Sequence, residues 1–209
     1  MKSIRAWAWS EGVSNFGDEL GISVLSRLGY DVERVPEMQD AEVLSAGSLI
    51  ESASVNAAPG ATIWGSGLMH GSPTSTSGLN VAVVRGRLTA RAIGMPDLPT
   101  GDPGSLVPHL WGRPKARWGL GVVRHYVDDD PYPGVDVVID ASWPVDEVID
   151  AIGSCRSIAS SSLHGIIVAS SWGIPTMRIP HDGVAGGNFK WIDWMSGTQD
   201  GSELLRNLP

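Results

Sequence analysis

Residues 157–171 run Ser157-Ile158-Ala159-Ser160-Ser161-Ser162-Leu163-His164-Gly165-Ile166-Ile167-Val168-Ala169-Ser170-Ser171. The apolar residues at 157–159 predict a strand, the three serines a polar loop, and the apolar run over 165–171 a buried helix. Gly173-Ile174-Pro175 then turns the chain into another strand over 176–179. Strand, helix and strand in this order predict a βαβ unit and hence a parallel sheet. The alternation continues upstream, with strands expected at 119–124 and 136–139 and a helix at 144–152. In the N-terminal half a strand over 3–9 leads through a loop at 11–16 into a helix over 18–28, where Leu20, Val24, Leu25 and Leu28 share one face. Strands at 30–35, 42–46, 62–65 and 81–85 and a helix at 88–93 follow, so the fold class is α/β.

Between residues 101 and 117 the chain carries Pro103, Pro108 and Pro114 with Gly104 and Gly112, a density of breakers that marks a connection. The expected boundary falls here, giving domains of 1–112 and 113–209. The first holds seven basic and eleven acidic residues and the second eight and twelve, so each nets −4. With a net charge of −8 and a pI near 5.0, the chain has no broad basic face for nucleic acid, and any anionic ligand must be met locally. The single cysteine, Cys155, excludes an intramolecular disulfide and a multi-cysteine metal site, and no metal is expected. Residues 1–10 interleave small residues with Trp7 and Trp9 rather than forming the apolar core of a signal peptide, and no apolar run approaches a membrane span. The expectation is a cytoplasmic protein without a transmembrane segment, with room for peripheral association at the inner membrane face.

Asn15-Phe16-Gly17-Asp18-Glu19-Leu20 lies where the first strand gives way to a helix, the end at which open α/β sheets bind ligands. Asp18 either caps that helix or presents a carboxylate to a substrate hydroxyl. Gly65-Ser66-Gly67 follows another strand, and its glycines let backbone N–H groups approach an anion. It is not a dinucleotide fingerprint, because His70 stands where the third glycine would fall, and no P-loop sequence occurs. Arg85 emerges at the end of the 81–84 strand, placed either to grip a carboxylate or phosphate or to form a surface ion pair. Arg124-His125-Tyr126 repeats that placement in the second half. His164 opens a helix whose N-terminal field disfavours imidazolium. It would serve as a neutral hydrogen-bonding group, as a proton donor beside a bound dianion, or merely as a partner of the serine loop. Lys190, one of three lysines, is either a second phosphate contact or an ordinary exposed side chain.

Seven blocks in order carry a resemblance: residues 15–20; 65–68; Val84-Arg85-Gly86 with Leu88-Thr89; Gly101-Asp102-Pro103-Gly104 with Leu106; 121–128; 161–169 with Gly173-Ile174-Pro175; and Lys190 with Asp193. Together they resemble the polysaccharide pyruvyl transferase family. The resemblance implies two Rossmann-like domains facing a cleft in a minimal GT-B-like arrangement, the acceptor on the side of 1–112 and the donor on that of 113–209. It implies transfer of the enolpyruvyl unit of phosphoenolpyruvate onto a sugar of a glycan or lipid-linked acceptor as a ketal, with no cofactor beyond phosphoenolpyruvate as donor. His164 would then be acid or phosphate anchor, Arg85 a donor contact, and Asp18 the group that orients or deprotonates the acceptor diol. Arg124, His125 and Lys190 would be secondary contacts, and Asn15, Gly17, Ser66, Gly67, Ser161, Ser162, Leu163 and Gly165 would complete the substrate site. Ser162 stands where some members have an arginine, so the resemblance implies that one carboxylate or phosphate contact is either missing or supplied by another arginine such as Arg178. Two competing readings are a GT-B-like glycosyltransferase using a nucleotide sugar and a non-catalytic relative that binds glycan or phosphoenolpyruvate.

Overall fold

A computed structural model describes residues 2–9 and 12–209; Ser10 and Glu11, where the loop expected at 11–16 begins, lie outside the described residues. The elements are β1 (Ser3–Trp7), α1 (Phe16–Arg27), β2 (Asp31–Arg34), β3 (Val43–Ser45), α2 (Ile50–Asn56), β4 (Thr62–Ser66), β5 (Asn80–Val84), α3 (Arg87–Ala92), α4 (Val107–Leu110), β6 (Trp118–Arg124), β7 (Val137–Asp140), α5 (Val145–Gly153), β8 (Cys155–Ser160), α6 (Leu163–Ser171), β9 (Thr176–Arg178), α7 (Phe189–Met195) and α8 (Ser202–Arg206). Two sheets form, in the orders β2-β1-β3-β4-β5 and β7-β6-β8-β9, and every strand pair in them is parallel. This mixed α/β architecture is compatible with a pair of Rossmann-like units. Strand order reverses between β1 and β3 in one sheet and between β6 and β8 in the other, and at such switch points a crevice opens beyond the carboxyl ends of the strands.

The breaker-rich connection does not run wholly over the surface. Residues 101–107 are buried, and they form a 3₁₀ turn (Pro103–Leu106) continuing into α4. Pro103 and Pro108 sit in the first turns of these two pieces, where a missing N–H costs no hydrogen bond. The turn is wedged tightly: a Cβ on Gly65 would lie 2.6 Å from Pro103 Cδ, and one on Gly104 would lie 2.8 Å from Ile167 Cγ2. A single apolar cluster joins Phe16, Leu20 and Val24 of α1 to Val123 of β6, Val148 of α5 and Val168 of α6, so the layers of both sheets share one core.

Besides α4, which lies in the expected connection, three helices were absent from the sequence expectation. In α2, Leu49 holds the N-cap position without a capping bond and the segment IESASVN buries only Ile50 and Ala53, too few for a visible period. The helices α7 and α8 form by returning to the first sheet: Trp64 Nε1 donates to Leu204 O (3.2 Å), and Lys2 Nζ and Tyr30 Oη both donate to Pro209 O. Among the described residues no helix is long and apolar enough to cross a membrane.

Candidate functional site

A cavity of about 250 Å³ lies where the two switch points meet. The segment after β1 contributes Trp9, Asn15 and Asp18; the turn after β3, Gly47 and Ser48; the segment after β6, His125 and Tyr126; the β8–α6 junction, Ser162, Leu163 and His164; and α7 contributes Lys190. Residues far apart in sequence converge because the strands within each sheet are parallel, so their carboxyl ends share one edge, and segments following both edges line the cavity.

Asn15, not Asp18, caps α1. Its Oδ1 accepts from Gly17 N (3.2 Å), and its Nδ2 donates to Asp18 Oδ2 (2.7 Å). Asp18 is thereby oriented but left for the cavity. Burial pushes its carboxyl above the usual carboxylate range, with His164, the Asn15 hydrogen bond and Lys190 each pulling back. Gly47, at φ +67°, makes room for it, since a Cβ there would come 2.8 Å from Asp18 Oδ1. Gly17 does the same for His164: its Cβ would meet the imidazole Nδ1 at 2.2 Å, so the helix start can lie flat against the ring only with glycine.

His164, in the first turn of α6, is 7% exposed, and its Nε2 lies 3.6 Å from Oδ2 of the fully buried Asp102. Neither atom has a hydrogen-bond partner among the described residues. The other Asp102 oxygen is occupied, accepting from Gly104 N (2.9 Å). At 3.6 Å the two atoms face each other beyond hydrogen-bonding distance, and a proton on Nε2 turns the positive edge of the imidazole toward the carboxylate, so Asp102 stands behind His164. The sequence carried this residue within Gly101-Asp102-Pro103-Gly104, but an aspartate before Pro-Gly reads as a turn former, and only the wedge between Gly65 and α6 turns it toward the histidine.

Arg85, expected as a fork for the donor or as an ion pair, is engaged within the fold. Although it borders the cavity, its guanidinium makes four hydrogen bonds within the protein, Nε to Asp193 Oδ2 (3.0 Å), Nη1 to Ser48 Oγ (2.7 Å) and Gly47 O (3.4 Å), and Nη2 to Leu68 O (2.6 Å), and Nη2 is also ion-paired with Asp193 Oδ2 (3.0 Å). Asp193 also accepts from Thr89 N and Oγ1, closing a network at 1% and 0% exposure. Arg85 therefore fixes the β3 turn that carries Gly47 and Ser48. Gly67 serves this packing, a Cβ there falling 2.5 Å from Arg85 Cζ.

Arg124 instead donates to Asp140 Oδ2 (2.6 Å), and Arg178 donates to Asn188 Oδ1 (2.7 Å) while lying 4.6 Å from the Trp191 ring centroid; neither lines the cavity. Ser66 Oγ bridges Gly47 O and Leu49 N, Ser161 Oγ bridges Asp128 and His125 N, and Gly165 lets α6 approach Val123 and Ser160, so these three hold backbone rather than face the cavity. Asn15, Asp18, His125, Ser162, Leu163, His164 and Lys190 do line it, with Gly17 immediately behind the imidazole.

Lys190 is 8% exposed rather than an ordinary surface lysine, and burial together with Arg85 pulls its ammonium down to about 8 despite Asp18. Ser162 holds the N-cap of α6 without making a cap bond, so the positive end of this nine-residue helix is not offset by its own cap at the cavity wall. An anion in an otherwise acidic protein thus meets one lysine and one helix terminus. His125 is pushed down to about 4, first by burial and then by Lys190 and His181, so it is neutral near pH 7.

Asp128, Asp130 and His181 bring potential metal-ligating atoms within 4.8 Å of one another outside the cavity. Asp128 is already occupied there, Oδ2 accepting from Ser161 and Tyr132 and Oδ1 from Asp130 N, while His181 Nδ1 accepts from Gly183 N. The cluster is a hydrogen-bonded support for the β6 loop.

No family model matches the chain. It is 29% identical over 178 residues to an uncharacterized protein of Acanthamoeba polyphaga mimivirus, an alignment covering 72% of this chain and 58% of that relative. It is 27% identical over 206 residues to the succinoglycan biosynthesis protein ExoV of Rhizobium meliloti (strain 1021), covering 91% of this chain and 64% of that protein. The chain therefore spans less than two thirds of the length of either relative, and it is distantly similar to a protein of polysaccharide biosynthesis.

Proposed function

We propose that this chain is a pyruvyl transferase that builds a ketal on a glycan sugar from phosphoenolpyruvate, with 1–112 and 113–209 as the two lobes of a GT-B-like pair acting in the cytoplasm. The observation that carries the reading is His164, with the buried Asp102 behind it, set beside Asp18 in one small cavity. Similarity to a succinoglycan biosynthesis protein supports the polysaccharide context. The cavity volume favours a small donor, since at about 250 Å³ it falls below the roughly 300–1,000 Å³ typical of pockets that enclose larger ligands such as a nucleotide sugar.

The reaction balances without an outside proton. Phosphoenolpyruvate gains a proton on its vinyl carbon, a sugar hydroxyl attacks the resulting oxocarbenium-like carbon, the carbon–oxygen bond to phosphate breaks, and a second hydroxyl closes the ketal. Of the two hydroxyl protons, one replaces the proton spent on the methyl group and the other leaves on the phosphate. His164 is the acid or phosphate anchor, with the Asp102 carboxylate facing its Nε2 at 3.6 Å. Asp18, whose carboxyl is pushed by burial above the usual carboxylate range, orients the diol and receives a hydroxyl proton. Lys190 and the α6 terminus hold the anionic donor, and Arg85 keeps the β3 turn in place.

Calorimetric titration with phosphoenolpyruvate and with uridine diphosphate sugars, followed by phosphate release over a panel of diol-bearing glycosides, tests this reading. Binding of phosphoenolpyruvate and glycoside-dependent phosphate release are expected. Binding of the nucleotide sugars alone would replace the reading by that of a glycosyltransferase, and donor binding with no phosphate release from any glycoside would favour a non-catalytic relative.

A further inference from the structure

The cavity is chemically divided. Its depth is charged and buried, with His164 and Lys190 at 7% and 8% exposure, whereas its mouth is aromatic and half-buried. There Trp9, following β1, and Tyr126, following β6, bring ring centroids to 6.0 Å at an interplanar angle of 31°, and His125 lies 4.4 Å from Tyr126. Each sheet thus supplies one aromatic ring to the same rim.

We propose that this rim is the acceptor subsite, where a pyranose ring lies across Trp9 and Tyr126 with its hydroxyl edge turned toward Asp18. The assignment rests on the pyruvyl transfer reading for the identity of the reaction, but its own argument is one of shape and polarity. A cavity of about 250 Å³ cannot enclose both the donor and a glycan, so the acceptor must enter at the open end. A pyranose has an apolar C–H face and a polar rim of hydroxyls. Large flat rings bury the former at little entropic cost while polar neighbours meet the latter. Sandwiching a sugar between two rings takes two van der Waals contacts of about 3.5–4.0 Å, hence about 7–8 Å between faces. At 6.0 Å the pair is too close for that, so the sugar lies across both rings.

His125 completes the polar edge. Its Nδ1 accepts from Val127 N (3.4 Å), which leaves the proton of the neutral ring on Nε2 as a donor to a hydroxyl oxygen. Burial and the Lys190 charge keep that ring neutral, so it offers a hydrogen bond without competing for the donor's negative charge.

The test compares wild type with Trp9→Ala, Trp9→Phe and Tyr126→Ala. Methyl β-D-glucopyranoside and methyl β-D-galactopyranoside are titrated by saturation-transfer NMR, and phosphoenolpyruvate is titrated separately by calorimetry. Each alanine variant is expected to weaken the better glycoside by about tenfold, Trp9→Phe to retain most of the affinity, and phosphoenolpyruvate binding to stay within about twofold of wild type. No binding of either glycoside to wild type overturns the proposal, as do alanine variants that bind glycoside unchanged or that lose both ligands equally. Glycoside binding lost at Trp9 in a protein that never binds phosphoenolpyruvate would keep the sugar subsite and overturn the pyruvyl transfer reading instead.

Discussion

Replacing Asp102 by asparagine isolates what the buried carboxylate does for His164. The substitution is nearly isosteric and keeps an oxygen for Gly104 N, so the 3₁₀ turn retains its cap. What changes is the charge 3.6 Å from His164 Nε2. At an effective dielectric constant of about 20, two unit charges at that distance attract by about 4–5 kcal/mol, an upper bound on what Asp102 contributes when His164 carries two protons. Desolvation of the carboxylate offsets part of this, which leaves an expected loss of about 10²–10³-fold in turnover, within the range of general acid–base catalysis. The asparagine amide can also turn its NH₂ toward Nε2, favouring the tautomer with the proton on Nδ1, on the side pressed against Gly17. The assay is phosphate release from phosphoenolpyruvate with whichever glycoside supports wild-type turnover, alongside calorimetric donor binding and a thermal melt. Turnover should collapse while donor affinity stays within about threefold, since the lysine and the helix terminus are untouched. Turnover within threefold of wild type, in a folded variant, would refute the dyad and the mechanism built on it.

Three other outcomes follow from the same geometry. Gly17→Ala places a methyl 2.2 Å from His164 Nδ1, so the buried ring must shift; turnover should fall by at least about tenfold and the melting temperature should drop, and kinetics and a thermal melt of one preparation check this. Asp193→Asn leaves the Arg85 guanidinium buried beside a neutral partner and should cost about 3–5 kcal/mol, read as a melting temperature lower by roughly 6–20 °C, so a variant that melts like wild type would contradict the structural role of Arg85. Lys190 carries its proton below about pH 8 and loses it above, so donor affinity should fall as pH rises through that value; Lys190→Arg, charged throughout, should remove the alkaline decline.

The α/β alternation was legible because the strands that matter are short runs rich in valine and isoleucine, and because α1 and α5 repeat their apolar residues at helical spacing. Predicted ends shifted by a few residues: the first strand ends at Trp7 rather than Trp9, and α6 begins at Leu163 rather than Gly165. Of the helices that escaped, α2 buries too few residues and α4 lies among prolines, while α7 and α8 make contacts with residues far away in sequence, such as Asp193 with Arg85 and Leu204 with Trp64, which no local pattern records.

The site divides in the same way. Asn15, Asp18, His125, Ser162 and His164 follow the ends of expected strands, and a parallel sheet delivers strand ends to one edge, so sequence order and residue type were enough to nominate them. Which polar groups are spent on structure and which stay available was decided by packing. Arg85, open to reading as a ligand fork or a surface ion pair, is held by four internal hydrogen bonds and a buried ion pair with Asp193; Lys190, open to reading as a phosphate contact or an exposed side chain, is buried at the cavity; and Asp102 stands behind His164. A side chain's chemistry is written in its identity, but its partners depend on which backbone segments a fold brings within about 3–4 Å, and that distance is set only when the two sheets close on their shared core.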